Sequence, residues 1–508
     1  MTEAMLPTDV SDLKKVILEQ YTLIQQLNQT IETLNQQISW FQRYFYGHTS
    51  ERKRSKQQQN DKDKRPSDDP STTVTANTGK ETPANNHRNG RRPLPEELPR
   101  QKIKLDLSDE QKRCSCGDKL HCMGKDISEQ LELMKPKLFV KQFIRYKYSC
   151  NRCKTIVMSS MPPQPIEKGM AGPGLLAEIM VSKYDDCLPL YRQEKRWERL
   201  GYAIPRTTQC DWIAQCAQLL KPIVELMRTD LMKSKKIHTD DTTFPILAPQ
   251  KTHTGRLWVY IGGDAQSPQC TIYEYTKTRH KEAPQKFLGT YKGFLQADAY
   301  GGYDHLYSAG DIIEVACFAH ARRKFVDVVE YYKTETSAEF VLELVRQLYG
   351  IEARIQSYTP HRRYFIRRHQ AKPLLKTLHR FIKQRKKKIV PHSLLDKAFD
   401  YTVNHWRALC NYLRDGELEI DNNRAERAMR LPVLGRKNYL FAGSEEGARS
   451  AAILYSLIQT CKQNHINTFD YLSDVLTRLP SALNKDLYKF LPYYWKKYRP
   501  QNFTVNTS

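Results

Sequence analysis

Between about Ser50 and Arg100 the chain has almost nothing to bury: Arg, Lys, Gln, Asp, Ser, Thr, Asn and Pro dominate the stretch. Such a composition cannot offset the entropy lost on ordering, so 48–100 reads as a disordered, basic linker. Folded units must therefore form on either side of it. The chain, at 508 residues, is also longer than one hydrophobic core usually organises, so several domains are expected.

On the N-terminal side a heptad runs through Leu13, Ile17, Gln20, Ile24, Leu27, Ile31, Leu34, Ile38, Phe41 and Phe45. Isoleucine at a with leucine at d favours a parallel two-stranded coiled coil. Residues 1–47 are thus expected to form a zipper-like helix that makes a homodimer or higher oligomer; the rival reading is an amphipathic helix docked on the protein's own core. The formal charge is +25, which points to a polyanionic partner, with nucleic acid the first candidate. No run approaches the roughly 18 apolar residues of a membrane span, and the first residues lack the pattern of an export signal, so no membrane and a cytoplasmic place are expected.

Past the linker come Cys114 and Cys116, then Cys150 and Cys153. Two close thiolate pairs are a usual tetrahedral zinc arrangement, giving a small zinc-binding module over 101–160. His121 and Cys122 are alternative ligands. The alternating run Phe139–Tyr146 reads as part of a β-hairpin between the two pairs. Residues 161–234 read as a helical region in which a turn at Gly201–Pro205 precedes an amphipathic run from Thr207 to Leu231 that Pro222 kinks or divides. A helix-turn-helix that contacts DNA and a plain helical core both fit this pattern.

From Lys235 the period becomes that of strands. Ile237–Asp240, Arg256–Ile261 and Cys270–Tyr275 read as hairpin-linked strands, and a short helix near 283–288 precedes Gly293–Ala297 and then Ile312–Cys317. The expected fold class is α/β: a ribonuclease-H-like mixed sheet with a large helical insertion. In such a sheet the first and fourth strands are neighbours, so Asp240, ending the first, and Asp298, ending the fourth, would meet. The core comprises 235–320 and 421–445, interrupted by a basic helical insertion at 321–420 and followed by a helical region at 446–508. Arg362-Arg363, Arg367-Arg368 and Arg385–Lys388 in the insertion are either solvated faces or DNA-contacting rows. Glu426 falls in the first turns of a helix that begins near Asp421. Two like charges about 4 Å apart repel by about 4 kcal/mol at an effective dielectric of about 20. Three carboxylates around one cleft therefore call for cations, and hard oxygen donors suit two magnesium or manganese ions, the arrangement that serves phosphodiester cleavage.

These motifs together resemble the bacterial insertion-sequence transposases of the IS66 family, over nearly the whole chain. His238–Thr242, Leu295–Tyr303 and Asp421–Arg427 resemble the family's three acid motifs; Arg91–Pro95, Cys317–Arg323 and Arg436–Ser444 are further family-like blocks. The resemblance implies a DDE transposase that binds the ends of an insertion sequence and carries out metal-dependent DNA strand cleavage and strand transfer. Its expected catalytic and magnesium-binding residues are Asp240, Asp298 and Glu426, beside a structural zinc. It also implies element-end and target double-stranded DNA and accessory proteins of the same element as partners, with the protein nucleoid-associated. Asp241 directly follows the first acid and is its competitor; alternation along a strand sends it to the opposite face. Arg424, Arg427, Arg430, Arg322 and Arg323 are candidate phosphate contacts. Cys317 and His320 lack the company of a nucleophile and base, and read as a structural lock between the fifth strand and the next helix. The rival functions are a non-catalytic zinc-dependent DNA-binding regulator and a nuclease of the same fold without strand transfer.

Overall fold

The chain divides into two units, residues 1–131 and 132–508, and the computed structural model describes the second: residues 137–149, 156–249, 251–264, 267–308, 310–333 and 335–500, with Gln20 alone from the first. The heptad, the linker and the four paired cysteines lie outside the described residues. Beside the cysteines, the alternating run Phe139–Tyr146 is not a strand. The ladder comes later, where β1 (Lys147–Ser149) pairs antiparallel with β2 (Ile156–Met158), so the strands flank Cys150 and Cys153 in sequence. Alternation alone did not fix the register, because the side chains of 139–146 are exposed and no buried face selects them.

Three helices follow: α1 (Pro173–Tyr184), α2 (Leu190–Arg199) and α3 (Arg206–Leu231). Helix α3 is not divided at Pro222. Its buried residues Leu220, Ile223, Val224 and Met227 continue the helical spacing across the proline, and the missing amide removes one backbone bond from an otherwise buried stripe. The turn between α2 and α3 is closed by Gln209, whose Nε2 donates to Ile204 O at 2.8 Å.

A five-stranded mixed sheet forms the centre. It is built from β3 (Lys236–Leu247), β4 (Thr252–Gly262), β5 (Cys270–Thr276), β6 (Gly293–Ala297) and β7 (Ile312–Ala316) in the order β5-β4-β3-β6-β7. The first three are antiparallel neighbours; β6 runs parallel to both β3 and β7. Helix α4 (Glu282–Leu288) joins β5 to β6, and α5 (Asp304–Ser308) precedes β7. Asp240 does not end its strand. Strand β3 continues seven residues further to Leu247, paired with β4 throughout, while its parallel pairing with β6 stops at His238. The polar run Asp240–Thr243 hides this extension in the sequence.

After β7 the chain makes a helical insertion with its own core: α6 (Phe318–Tyr332), α7 (Thr336–Ile355), α8 (Pro360–Ile366), α9 (Lys372–Lys386), α10 (Leu394–Asn404) and α11 (Trp406–Cys410). One expected basic row dissolves here. Arg367 is fully buried: it forms a bidentate pair with Glu352 at 2.8 and 2.6 Å and donates to the carbonyls of Tyr412, Asp415 and Leu418. It is an internal tie, neither a solvated face nor a DNA contact. Then come α12 (Asn423–Tyr439), α13 (Glu445–Gln463), α14 (Thr468–Arg478) and α15 (Pro492–Tyr498). Helix α12 lies against β3 and β4, and α13 lies against β5 and α3.

Both open edges of the sheet are covered by side chains distant in sequence. On β5, Tyr273 N donates to Ser456 Oγ at 2.8 Å, while Thr460 Oγ1 accepts from Thr271 N at 3.0 Å and donates back to Thr271 O at 3.1 Å. On β7, Asn411 Nδ2 donates to Glu314 O at 2.7 Å. These bonds satisfy backbone groups that an edge strand otherwise offers to another chain. Replacing Thr460 by Val keeps the shape but strands the Thr271 amide in a buried place, so urea unfolding is expected to show a loss of about 1–3 kcal/mol.

Candidate active site

The register of the parallel ladder brings the first two acids together. Lys236, Ile237 and His238 pair with Phe294, Leu295 and Gln296, and the same register carried two residues on sets Asp240 opposite Asp298. Strand β6 has ended by then, so the β6-facing side of β3 is open at Asp240. Asp298 heads a sharp turn. Ala299 takes a left-handed conformation (φ 61°), and Tyr300 N donates to Asp298 Oδ1 at 3.2 Å. A non-glycine residue with positive φ is strained and persists where its surroundings hold it. Here Tyr300 and Tyr303 pack against the buried Trp258, and Tyr303 OH lies 3.3 Å from Thr239 Oγ1.

Glu426 arrives from far along the chain, in the first turn of α12. Asn422, just before the helix, is fully buried: its Nδ2 donates to Thr239 O at 2.8 Å and its Oδ1 accepts from His238 Nδ1 at 3.1 Å. Its backbone N–H donates to Cys317 Sγ at 3.2 Å. Upstream, Gln296 Nε2 donates to the carbonyls of Glu419 and Asp421 at 2.6 and 2.8 Å, and Lys236 donates to Glu417 O. The far end of α12 is fixed as well. Arg436 bonds Thr242 and Thr243, and Ala442 bridges in parallel to Ile246 of β3. Both ends of the helix that carries Glu426 are thus tied to the strand that carries Asp240.

The neighbours Asp240 and Asp241 have opposite electrostatic settings. Asp241 is neutralised within the protein: Arg256 reaches one oxygen at 3.0 Å and Arg279 the other at 2.8 Å, and the side chain is 2% exposed. Among the described residues Asp240 has no cationic partner; it accepts the Asp241 N–H at 2.8 Å. Burial first, then the charges of Asp298, Asp241 and Glu426, push its pKa from 3.8 up to about 7. A half-buried carboxylate beside other acids with no basic partner suits a cation, and three hard oxygen donors match magnesium or manganese. The three carboxylates do not all draw within 4.8 Å of one another; among the described residues the group that does is Cys317, His320 and Glu426.

One residue of the site, Arg279, had no signal strong enough to find it in the sequence, and a second, His320, read there as part of a structural lock. Arg279, one basic residue in a loop, stacks on Tyr300 at 3.9 Å and ties Asp241 to the site edge, with Asp298 Oδ2 3.8 Å away. His320 lies with Nε2 3.8 Å from Glu426 Oε1. Cys317 behaves as a structural thiol: it is fully buried, accepts the Asn422 N–H, and burial pushes its pKa up to about 11. Of the candidate phosphate contacts, Arg322, Arg323, Arg427 and Arg430 are exposed. Arg424 is turned inward, toward Gln269 at 3.3 Å and Glu419 at 4.0 Å. No helix among the described residues is long and apolar enough to cross a membrane.

The model of the IS66 transposase family matches residues 168–450, which include all three acids. A zinc-finger binding domain of transposase IS66 matches 111–154, a stretch that holds Cys114, Cys116, Cys150 and Cys153. The IS66 C-terminal element matches 456–493, and a model described as transposase C of IS166 homeodomain matches 33–103. Among relatives, the uncharacterized protein y4hP of Sinorhizobium fredii is 32% identical over 428 residues, 80% of this chain and 77% of that protein. A second uncharacterized protein of that organism, y4jD, is 32% identical over 419 residues, 79% of this chain and 81% of its own length. With the family model spanning more than half of its residues, the chain belongs to the IS66 family of transposases.

Proposed function

We propose that this transposase cuts DNA at the ends of an insertion sequence and joins the freed ends to target DNA, with Asp240, Asp298 and Glu426 holding two magnesium or manganese ions. The observation that carries the reading is the contrast at β3: Asp241 has two guanidinium partners, whereas Asp240, its neighbour, is half-buried beside other acids and has no cationic partner among the described residues. Ions bound there would supply the positive charge that stabilises the attacking and leaving oxygens of a phosphodiester. The strand order β5-β4-β3-β6-β7, antiparallel then parallel, supports a ribonuclease-H-like core.

The protein's own residues account for the geometry. The ladder sets Asp240 against Asp298, Asn422 sets Glu426 beside them, and Arg279 holds Asp241 out of competition. At each element end a water oxygen bonds to phosphorus and the 3′ oxygen leaves, which frees a 3′-hydroxyl. The same carboxylates then serve attack of that hydroxyl on a target phosphodiester, whose own 3′ oxygen leaves as the new bond to phosphorus forms, so no side-chain nucleophile is needed. The exposed Arg322, Arg323, Arg427 and Arg430 contact phosphates, and Arg424 orients Glu419 instead. Cys114, Cys116, Cys150 and Cys153 hold a zinc ion in a DNA-binding module, and the heptad at 13–45 pairs subunits so that two ends are processed together. Accessory proteins of the same element complete the assembly on the nucleoid.

The direct test incubates purified protein and magnesium with DNA that carries the flanking element ends, then maps cuts and joined products. Cleavage with joining is expected; cleavage alone would make this a nuclease, and binding alone a regulator. Asp298→Asn is expected to bind ends as the wild type does and to lose cleavage by several orders of magnitude; a folded variant that still cuts removes Asp298 from the reaction. End binding is expected to weaken steeply between about 50 and 200 mM salt, as many phosphates are neutralised, and a flat response would contradict the arginine contacts.

The raised pKa of Asp240 gives a pH signature. In ion-free protein the folded state keeps a proton that the unfolded chain releases between about pH 4 and pH 7. Ionising Asp240 therefore costs stability progressively through that window, and the full cost is present above pH 7. In buffer free of added divalent ions, Asp240→Asn is expected to melt above the wild type at pH 8 and level with it near pH 4. Magnesium should raise the wild-type melting temperature at pH 8 and leave the variant unmoved.

A further inference from the structure

We infer that His320 donates a ring nitrogen to the ion held by Glu426, which makes that position a mixed nitrogen–oxygen metal site. This rests on the reading of Glu426 as a metal-holding carboxylate and adds a ligand to it. His320 Nε2 faces Glu426 Oε1 at 3.8 Å, too far for a hydrogen bond. The separation does suit two ligands of one ion, since donors each about 2.1 Å from an octahedral metal lie roughly 3–4 Å apart.

One atom of each side chain lacks a partner among the described residues. Glu426 Oε1 and His320 Nδ1 are both buried without a hydrogen-bond partner. Buried polar atoms in native proteins are nearly always paired, so the orphaned Glu426 Oε1, with His320 Nε2 facing it, points to a missing occupant. Position is fixed on both sides. His320 sits in the first turn of α6 directly after β7, and Glu426 in the first turn of α12. The Asn422 N–H to Cys317 Sγ bond ties the starts of these two helices together. Cys317 completes the close group of three, yet its sulfur already accepts that bond, so the donors left are the imidazole and the carboxylate. An imidazole among carboxylates shifts preference from magnesium toward manganese.

The test uses full-length, zinc-loaded protein with one equivalent of manganese and reads the ion's surroundings by pulsed electron paramagnetic resonance. Nitrogen coupling is expected in the wild type, with the pattern changed when histidine is labelled with nitrogen-15. His320→Gln should abolish the coupling and weaken manganese binding roughly tenfold or more, the scale on which even outer ligand partners act. Tight binding without nitrogen coupling in the wild type overturns the inference whether or not the variant folds, and leaves the carboxylate reading in place. Coupling that persists in His320→Gln also overturns it. Manganese binding unaffected by Asp240→Asn would instead remove the carboxylate reading on which it stands.

Discussion

The structure depends on how the short 3-10 turn Asn411–Arg414 and the irregular stretch 415–422 after it are held. Running between the insertion and α12, they have backbone carbonyls that no helix or strand satisfies, and buried carbonyls must find partners. Arg367 takes those of Tyr412, Asp415 and Leu418 from the insertion side; Lys236 and Gln296 take those of Glu417, Glu419 and Asp421 from the sheet side. Asn422 then closes the segment onto β3. A chain that leaves the sheet for about a hundred residues thus returns to a fixed point. That is how a large helical insertion can be accommodated without displacing Glu426.

The same economy of placement governs charge. Asp240 and Asp241 are adjacent in sequence, yet strand alternation sends one toward α12 and the other toward Arg256 and Arg279. One carboxylate is neutralised by the protein, and the other is left with acids. With Asp240 left uncompensated, ionising it costs the fold stability, and a cation bound there would remove that cost. The positive φ at Ala299, held by Tyr300, Tyr303 and Trp258, is a second local strain that keeps Asp298 in place.

Much of this core was legible in sequence because each signal was local. Gly293–Ala297 reads as a strand with its observed bounds, and the helix read from near Asp421 begins at Asn423, with Glu426 in its first turn. The neighbouring of the first and fourth strands followed from their connections. Other features were hidden for physical reasons. The polar run Asp240–Thr243 splits β3 into two apolar parts, and Pro245 falls in the second, so its length could not be read from hydrophobicity. Arg367 looks like one of a basic surface pair until its partners, Glu352 and three carbonyls, are known. Pro222 suggests a break that the buried stripe of α3 overrides. His320 was read as part of a structural lock because its partner lies more than a hundred residues away.

The central claim is that the carboxylates of Asp240, Asp298 and Glu426 share bound divalent ions. Crystals soaked in manganese and measured for anomalous scattering test it most directly. The account predicts anomalous peaks within about 2.0–2.3 Å of oxygens from all three side chains, distances usual for such ions. Peaks that touch none of them, or an acid cleft that stays without a peak at saturating manganese, would contradict it.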